Sequence, residues 1–151
     1  MLVAIVSWSG CISSDSYEKN IAIPSLQWQA KYTPTYRFQI SDTTDSYSLF
    51  LLLRHTDNYP FANIWLHVFL KEPGNTNATK QVIEVPLAQA DGKWLARKFH
   101  EIIEHKMPLH ANGSPIHFTK TGTYEISIEQ IMRVNPLPEI MSVGIRLEKN
   151  K

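Results

Sequence analysis

From residue 36 to residue 148 apolar positions recur at every second residue over most of the chain, the spacing of strands with one face on a core. Tyr36-Arg37-Phe38-Gln39-Ile40 alternates cleanly and predicts a half-buried strand. Residues 42–46 are polar and predict a turn. Residues 47–54 contain Leu49-Phe50-Leu51-Leu52-Leu53, too apolar for an exposed face, and predict a central strand buried on both sides. Asp57, Asn58 and Pro60 end it, because Asp and Asn favour turns and Pro cannot donate to a ladder. Residues 62–70 put Ile64, Leu66, Val68 and Leu70 on one face and Trp65, His67 and Phe69 on the other. A Gly/Asn-rich loop over 72–79 then predicts a hairpin to residues 81–87, where Pro86 marks an edge or a strand end.

Residues 94–103 carry two readings, since Leu95, Phe99, Ile102 and Ile103 also stand at near-helical spacing. Residues 115–119 predict a strand, Thr121-Gly122 a turn, and residues 124–128 a strictly alternating strand. Residues 131–140, with Pro136 and Pro138, form a loop with room for one helical turn, and residues 141–148 close the domain as a last strand. Residues 21–34, with Trp28 between Pro24 and Pro34, predict irregular chain packed on the domain. The sum is an all-β fold: a single antiparallel β-sandwich, jelly-roll or Ig-like, of seven or eight strands. Pattern alone does not order the strands.

A chain of 151 residues fits one domain of this kind and can bury roughly 70% of its unfolded surface. Charge is nearly balanced, 15 basic against 14 acidic residues with no long block of either sign. A phosphate-binding protein needs a basic stripe, so nucleic acid is not expected as a partner. The lone cysteine, Cys11, excludes an intramolecular disulfide and a CxxC site. It follows Met1-Leu2-Val3-Ala4-Ile5-Val6-Ser7-Trp8-Ser9-Gly10, a short apolar run and then small residues. That order is similar to a bacterial lipoprotein signal, cut before a cysteine that takes the lipid. The run is far short of the roughly 20 residues that span a bilayer. It also carries no Lys or Arg and Trp8 sits at an unusual place, so a buried N-terminal strand with a free thiol is the competing reading. The expected organisation is a signal remnant over 1–10, a polar tether over 11–20 and the sandwich over 21–151.

The chemistry-bearing residues form no catalytic pattern. His100, His105 and His110 are five apart, which aligns them on neither a helix nor a strand, and no HExxH pair occurs. His55 and Asp57 fall at a predicted turn. No Gly-x-Ser-x-Gly elbow and no phosphate loop is present, and Glu125 and Glu129 read as solvated charges on a strand. No enzyme, metal or cofactor is expected. What remains are two aromatic-bearing turns, Asn58-Tyr59-Pro60-Phe61 and Asp91-Gly92-Lys93-Trp94. Aromatics with polar tips suit interfaces, which makes Asn58, Tyr59, Phe61, Asp91 and Trp94 candidate partner-binding residues. The competing reading is that these aromatics cap the sandwich ends.

These turns, with Thr121-Gly122-Thr123-Tyr124, Ile128 to Arg133 and Ser142 to Glu148, resemble in their order the GldH-type gliding-motility lipoproteins of Bacteroidetes. The resemblance implies a lipid on Cys11 and a non-catalytic structural or assembly role in the envelope machinery for gliding and the linked protein secretion. Partners are then the membrane, through the anchor, and other envelope proteins. Ile12 stands where an Asp would retain a lipoprotein in the inner membrane, so the outer membrane is expected. The alternative from a different class is a carbohydrate-binding jelly roll. An exposed row of aromatics on one sheet face would favour it, and aromatics buried at the sandwich ends would favour the scaffold.

Overall fold

The structure, a computed structural model, describes residues 16–110 and 113–151. Among these, eight strands of six residues or more carry the fold: β1 (Ser16–Ala22), β3 (Thr35–Ile40), β4 (Tyr47–Thr56), β5 (Asn63–Lys71), β6 (Thr79–Pro86), β8 (Ile102–Pro108), β9 (Gly122–Gln130) and β11 (Ile140–Lys149). Short pieces complete it: β2 (Gln27–Trp28) pairs with β10 (Leu137–Pro138), and β7 (Arg97–Phe99) pairs with β8. One sheet runs β1-β11-β4-β8-β7, the other β3-β9-β5-β6, and every pairing is antiparallel. The long strands divide four and four in the jelly-roll order, which decides between the two expected sandwiches.

The inner faces of both sheets form the core. β4 contributes Leu49, Leu51 and Leu53, β5 contributes Ile64, Leu66 and Val68, and β11 contributes Val143, Ile145 and Leu147. Tyr36 of β3 reaches across the sandwich, its hydroxyl donating to the carbonyl of Val143 at 2.6 Å. The expectation that residues 47–54 are buried on both sides is corrected: β4 is central, but Phe50 and Leu52 face outward and are half-exposed. They are apolar because charged side chains lie over that face, as where the Lys106 ammonium sits 4.3 Å from the Phe50 ring centroid.

Three segments differ from the sequence reading. Residues 94–103 hold no helix; β7 and β8 form a tight hairpin there, turning at His100 with φ 56°, and Phe99 is 69% exposed. Residues 115–119 contribute only an isolated bridge, Ile116 to Tyr47, because Pro115 withholds a donor and Phe118 turns into the core. Residues 16–20, expected in the tether, belong to β1, which pairs with β11 from Ser16↔Glu148 to Ala22↔Ser142. The polar run Glu18, Lys19, Asn20 hid this strand, because an edge strand needs apolar residues only where it meets the core. Gly144 makes the pairing possible: a Cβ there would lie 2.7 Å from the Lys19 carbonyl oxygen and closer still to the Asn20 side chain. Cys11 and the expected signal remnant lie outside the described residues.

Candidate functional site

The two aromatic turns lie together at one end of the sandwich. The first leaves β4 at Thr56, whose amide donates to the Glu139 carbonyl at 3.0 Å and whose hydroxyl donates to the Glu139 carboxylate. The Asp57 amide then donates to the Glu101 carbonyl at 3.1 Å, tying the turn to the β7–β8 hairpin. The second turn is closed by the Gln89 amide on the Lys93 carbonyl, 2.8 Å, with Gly92 at φ +86° and the Asp91 carboxylate accepting from the Lys93 amide at 3.0 Å. Asp57 joins them: its carboxylate accepts from the Trp94 indole N–H at 2.7 Å and from the Lys98 ammonium at 2.5 Å. Lys98 first and Trp94 second hold the Asp57 carboxyl below the usual carboxylate range.

Under this joint is a stack of rings. Tyr59 is 4% exposed, its ring centroid 4.9 Å from His55 and 5.7 Å from Phe61, and its hydroxyl donates to the Asn63 carbonyl at 2.9 Å. Trp94 stands edge-on to His55 at 4.6 Å. His55 and His105 are both fully buried, with their Nε2 atoms 2.9 Å apart. His55 Nδ1 donates to the Thr56 carbonyl at 2.7 Å, which fixes the neutral tautomer: His55 Nε2 accepts and His105 Nε2–H donates. Burial lowers both pKa values, and the neighbouring His55 lowers that of His105 further, to about 4.

Of the sequence candidates, Asn58 and Asp91 are exposed, Phe61 and Trp94 are half-buried, and Tyr59 is core. Tyr59 is therefore a support for the turn and not an open contact. His55, expected at the turn, is instead the last inward position of β4. The alternation through Leu49, Leu51 and Leu53, carried one step further, places it there. Asp57, Lys98 and the His55–His105 pair were not legible, because each acts across at least 37 residues of sequence. Phe99, the most exposed of the large apolar side chains described, adjoins a cleft of about 400 Å³ lined by Arg54, Ile102, Glu104 and Met141. On the outer face of β5, Trp65 is 39% exposed, while Phe69 is partly covered by the Lys80 ammonium 6.0 Å from its ring centroid. Among the described residues no group of three or more His, Cys, Asp or Glu side chains could hold a metal ion.

The family profile of the GldH lipoprotein matches residues 15–147, nearly the whole sandwich. The chain belongs to that family. Similar GldH proteins span its full length. The gliding motility lipoprotein GldH of Flavobacterium johnsoniae is 27% identical over 99% of this chain and 94% of its own length. The GldH homolog of Christiangramia forsetii is 26% identical over 99% and 93%. Membership makes this a cell-envelope lipoprotein of the gliding-motility group, with membrane association and envelope partners in general. Among solved structures, a carbohydrate-binding module specific for non-crystalline cellulose aligns with a TM-score of 0.45 and 8% identity, covering 89% of this chain and 73% of that one. The VP2 subviral particle of infectious bursal disease virus aligns at 0.30 and 18%, covering 97% and 37%.

Proposed function

We propose that this chain is a non-catalytic assembly component of the gliding machinery and its linked secretion, held to the outer membrane by a lipid on Cys11. The observation behind this reading is the joint at Asp57, which locks two turns and the β7–β8 hairpin into one surface. Asn58, Phe61, Asp91 and Trp94 belong to those turns, whereas the exposed ring of Phe99 faces the outer side of the sheet with Arg54, Ile102 and Glu104. A pre-ordered apolar and polar end suits protein contact, since little conformational entropy is lost on docking. The Tyr59 side chain is buried at the sandwich end, which favours the scaffold reading. On the outer face of β5, Trp65 is exposed but Phe69 lies near the Lys80 ammonium, so these two do not form the open row that would favour a sugar.

Two experiments test this. Asn58→Arg is expected to change stability by no more than about 0.5 kcal/mol, as for other exposed turn positions, while reducing retention of an envelope partner several-fold. Tyr59→Ala on the same background is expected to cost about 3–5 kcal/mol, because it empties a buried aromatic site. Unchanged partner retention in both Asn58→Arg and Phe61→Ala would retire this surface. Cys11→Ser is expected to move the protein out of the membrane fraction and abolish incorporation of a fatty-acid analogue. If fractionation and labelling stay as in the parent protein, the anchor is elsewhere.

A further inference from the structure

We propose that the β6 edge and the apolar slot beside it receive one extended peptide segment of a partner protein. The segment adds a fifth strand to the β3-β9-β5-β6 sheet and seats a large apolar side chain between the sheets. Among the described residues β6 pairs with β5 alone, over an unbroken register from Asn63↔Pro86 to Leu70↔Thr79. The Leu87 amide donates to the Ala62 carbonyl, which sets the phase of that ladder. Thr79, Gln81, Ile83 and Val85 therefore bond towards β5, and the backbone groups of Lys80, Val82 and Glu84 point away from it. An exposed, regular edge of eight residues is a template for another strand.

The side chains at this edge point to the same occupant. Thr79 and Gln81 sit opposite the core-facing Leu70 and Val68, yet both are exposed, so the five-stranded sheet does not cover this end of β6. A slot of about 180 Å³ opens beside them between the sheets, lined by Leu49, Leu109, Ile116 and Phe118. A groove of about 540 Å³ continues from it between residues 81–84 and residues 108–110. His110 lines both, and its two ring nitrogens are buried with no hydrogen-bond partner among the described residues. A neutral imidazole offers one donor and one acceptor, and burying both unmet is costly.

An extended peptide pairs with the edge and carries a side chain for the slot. A second copy of this chain fits less well: in an edge-to-edge pair its own Ile83 and Val85 stay turned into its own sheet packing, and the slot stays empty. An acyl chain fills the slot but has nothing to offer the edge amides. This site is separate from the turn surface proposed above, so the two stand or fall independently.

The test uses the folded, isotope-labelled domain and a panel of synthetic eight-residue peptides, alternating Thr and Val with one central Phe, Leu or Trp. The expected result is amide exchange roughly tenfold slower at Lys80, Val82 and Glu84, the outward-pointing positions, with shifted methyl signals at Leu109 and Ile116. The same peptides N-methylated along one edge are expected to lose both effects. Val82→Pro removes an outward N–H that β5 does not use, and should likewise abolish protection. Three outcomes overturn the proposal: no protection from the whole panel at millimolar concentration, slot shifts with laurate but not with peptide, or edge protection that rises with protein concentration alone.

Discussion

Leu51→Ala or Leu53→Ala is expected to cost about 2–5 kcal/mol, the range for emptying a fully buried leucine site. Both side chains are 0% exposed, and β4 lies between β11 and β8, so Leu51 is flanked by Ile145 and Met107 and Leu53 by Val143 and His105. Ladders on both sides hold the backbone, so the neighbours can collapse only partly into the space. The loss therefore combines the missing transfer energy with an unfilled cavity. For a domain of this size each kcal/mol lowers the melting temperature by roughly 2–4 °C. Leu52→Ala is the control: its side chain points to the outer face, half-exposed, and its truncation should cost clearly less. Equilibrium urea unfolding of the three variants measures this. A larger loss at Leu52 than at Leu51 would mean a register one residue off, and equal losses would mean that both faces of β4 are buried alike.

Acidification is expected to destabilise the fold before the carboxylates titrate. His55 and His105 are buried as a neutral, hydrogen-bonded pair, and a proton on either has to be accommodated next to the other. Burial lowers the folded pKa of both, with His105 at about 4, whereas an unfolded histidine titrates near 6.5. The unfolded chain therefore binds protons first as the pH drops. Stability from the pair is fully present above about pH 6.5 and is lost progressively towards pH 4, on the order of 3 kcal/mol if His105 alone is counted. His110, whose pKa burial also lowers, adds loss of the same sign. Asp57, whose charge acts on His55, and Asp42 and Glu148 are all held below the usual carboxylate range by their hydrogen bonds, so the window from 6.5 to 5 reports the histidines. Unfolding free energies at pH 7 and pH 5 should differ markedly in the parent protein and less in His105→Gln. A parent protein equally stable at both, or a variant with the same slope, would contradict the buried neutral pair.

The strands at the centre of each sheet were readable because their burial is one-sided and regular. Ile64, Leu66 and Val68, and Tyr124, Ile126 and Ile128 occupy one face as period two assigns them, whereas the unbroken apolar run at residues 49–53 hid which side of β4 faces outward. Pro86 was a sound edge signal for the same local reason, a missing donor. The edges of the other sheet were harder. β1 is nearly all polar and is a strand only because β11 offers it a ladder and Gly144 offers it room. β7 and β8 carry apolar residues at spacings that suit a helix as well as a hairpin, and the choice was made by β4, which needed a neighbour along residues 50–56.

The candidate site divides along the same line. By itself the sequence determined the all-β class, the paired sheets, most of the core and the family, because each rests on local alternation or on ordered short motifs. It also marked both aromatic turns, since Asp, Asn, Gly and Pro shape turns wherever they stand. Only the tertiary structure decided that Tyr59 is core while Phe99 is surface, that Asp57 clamps Trp94 and Lys98, and that two histidines 50 residues apart share one hydrogen bond. Those are properties of which strands lie side by side, and strand order is set by the total burial of the sandwich, not by any stretch of chain within it.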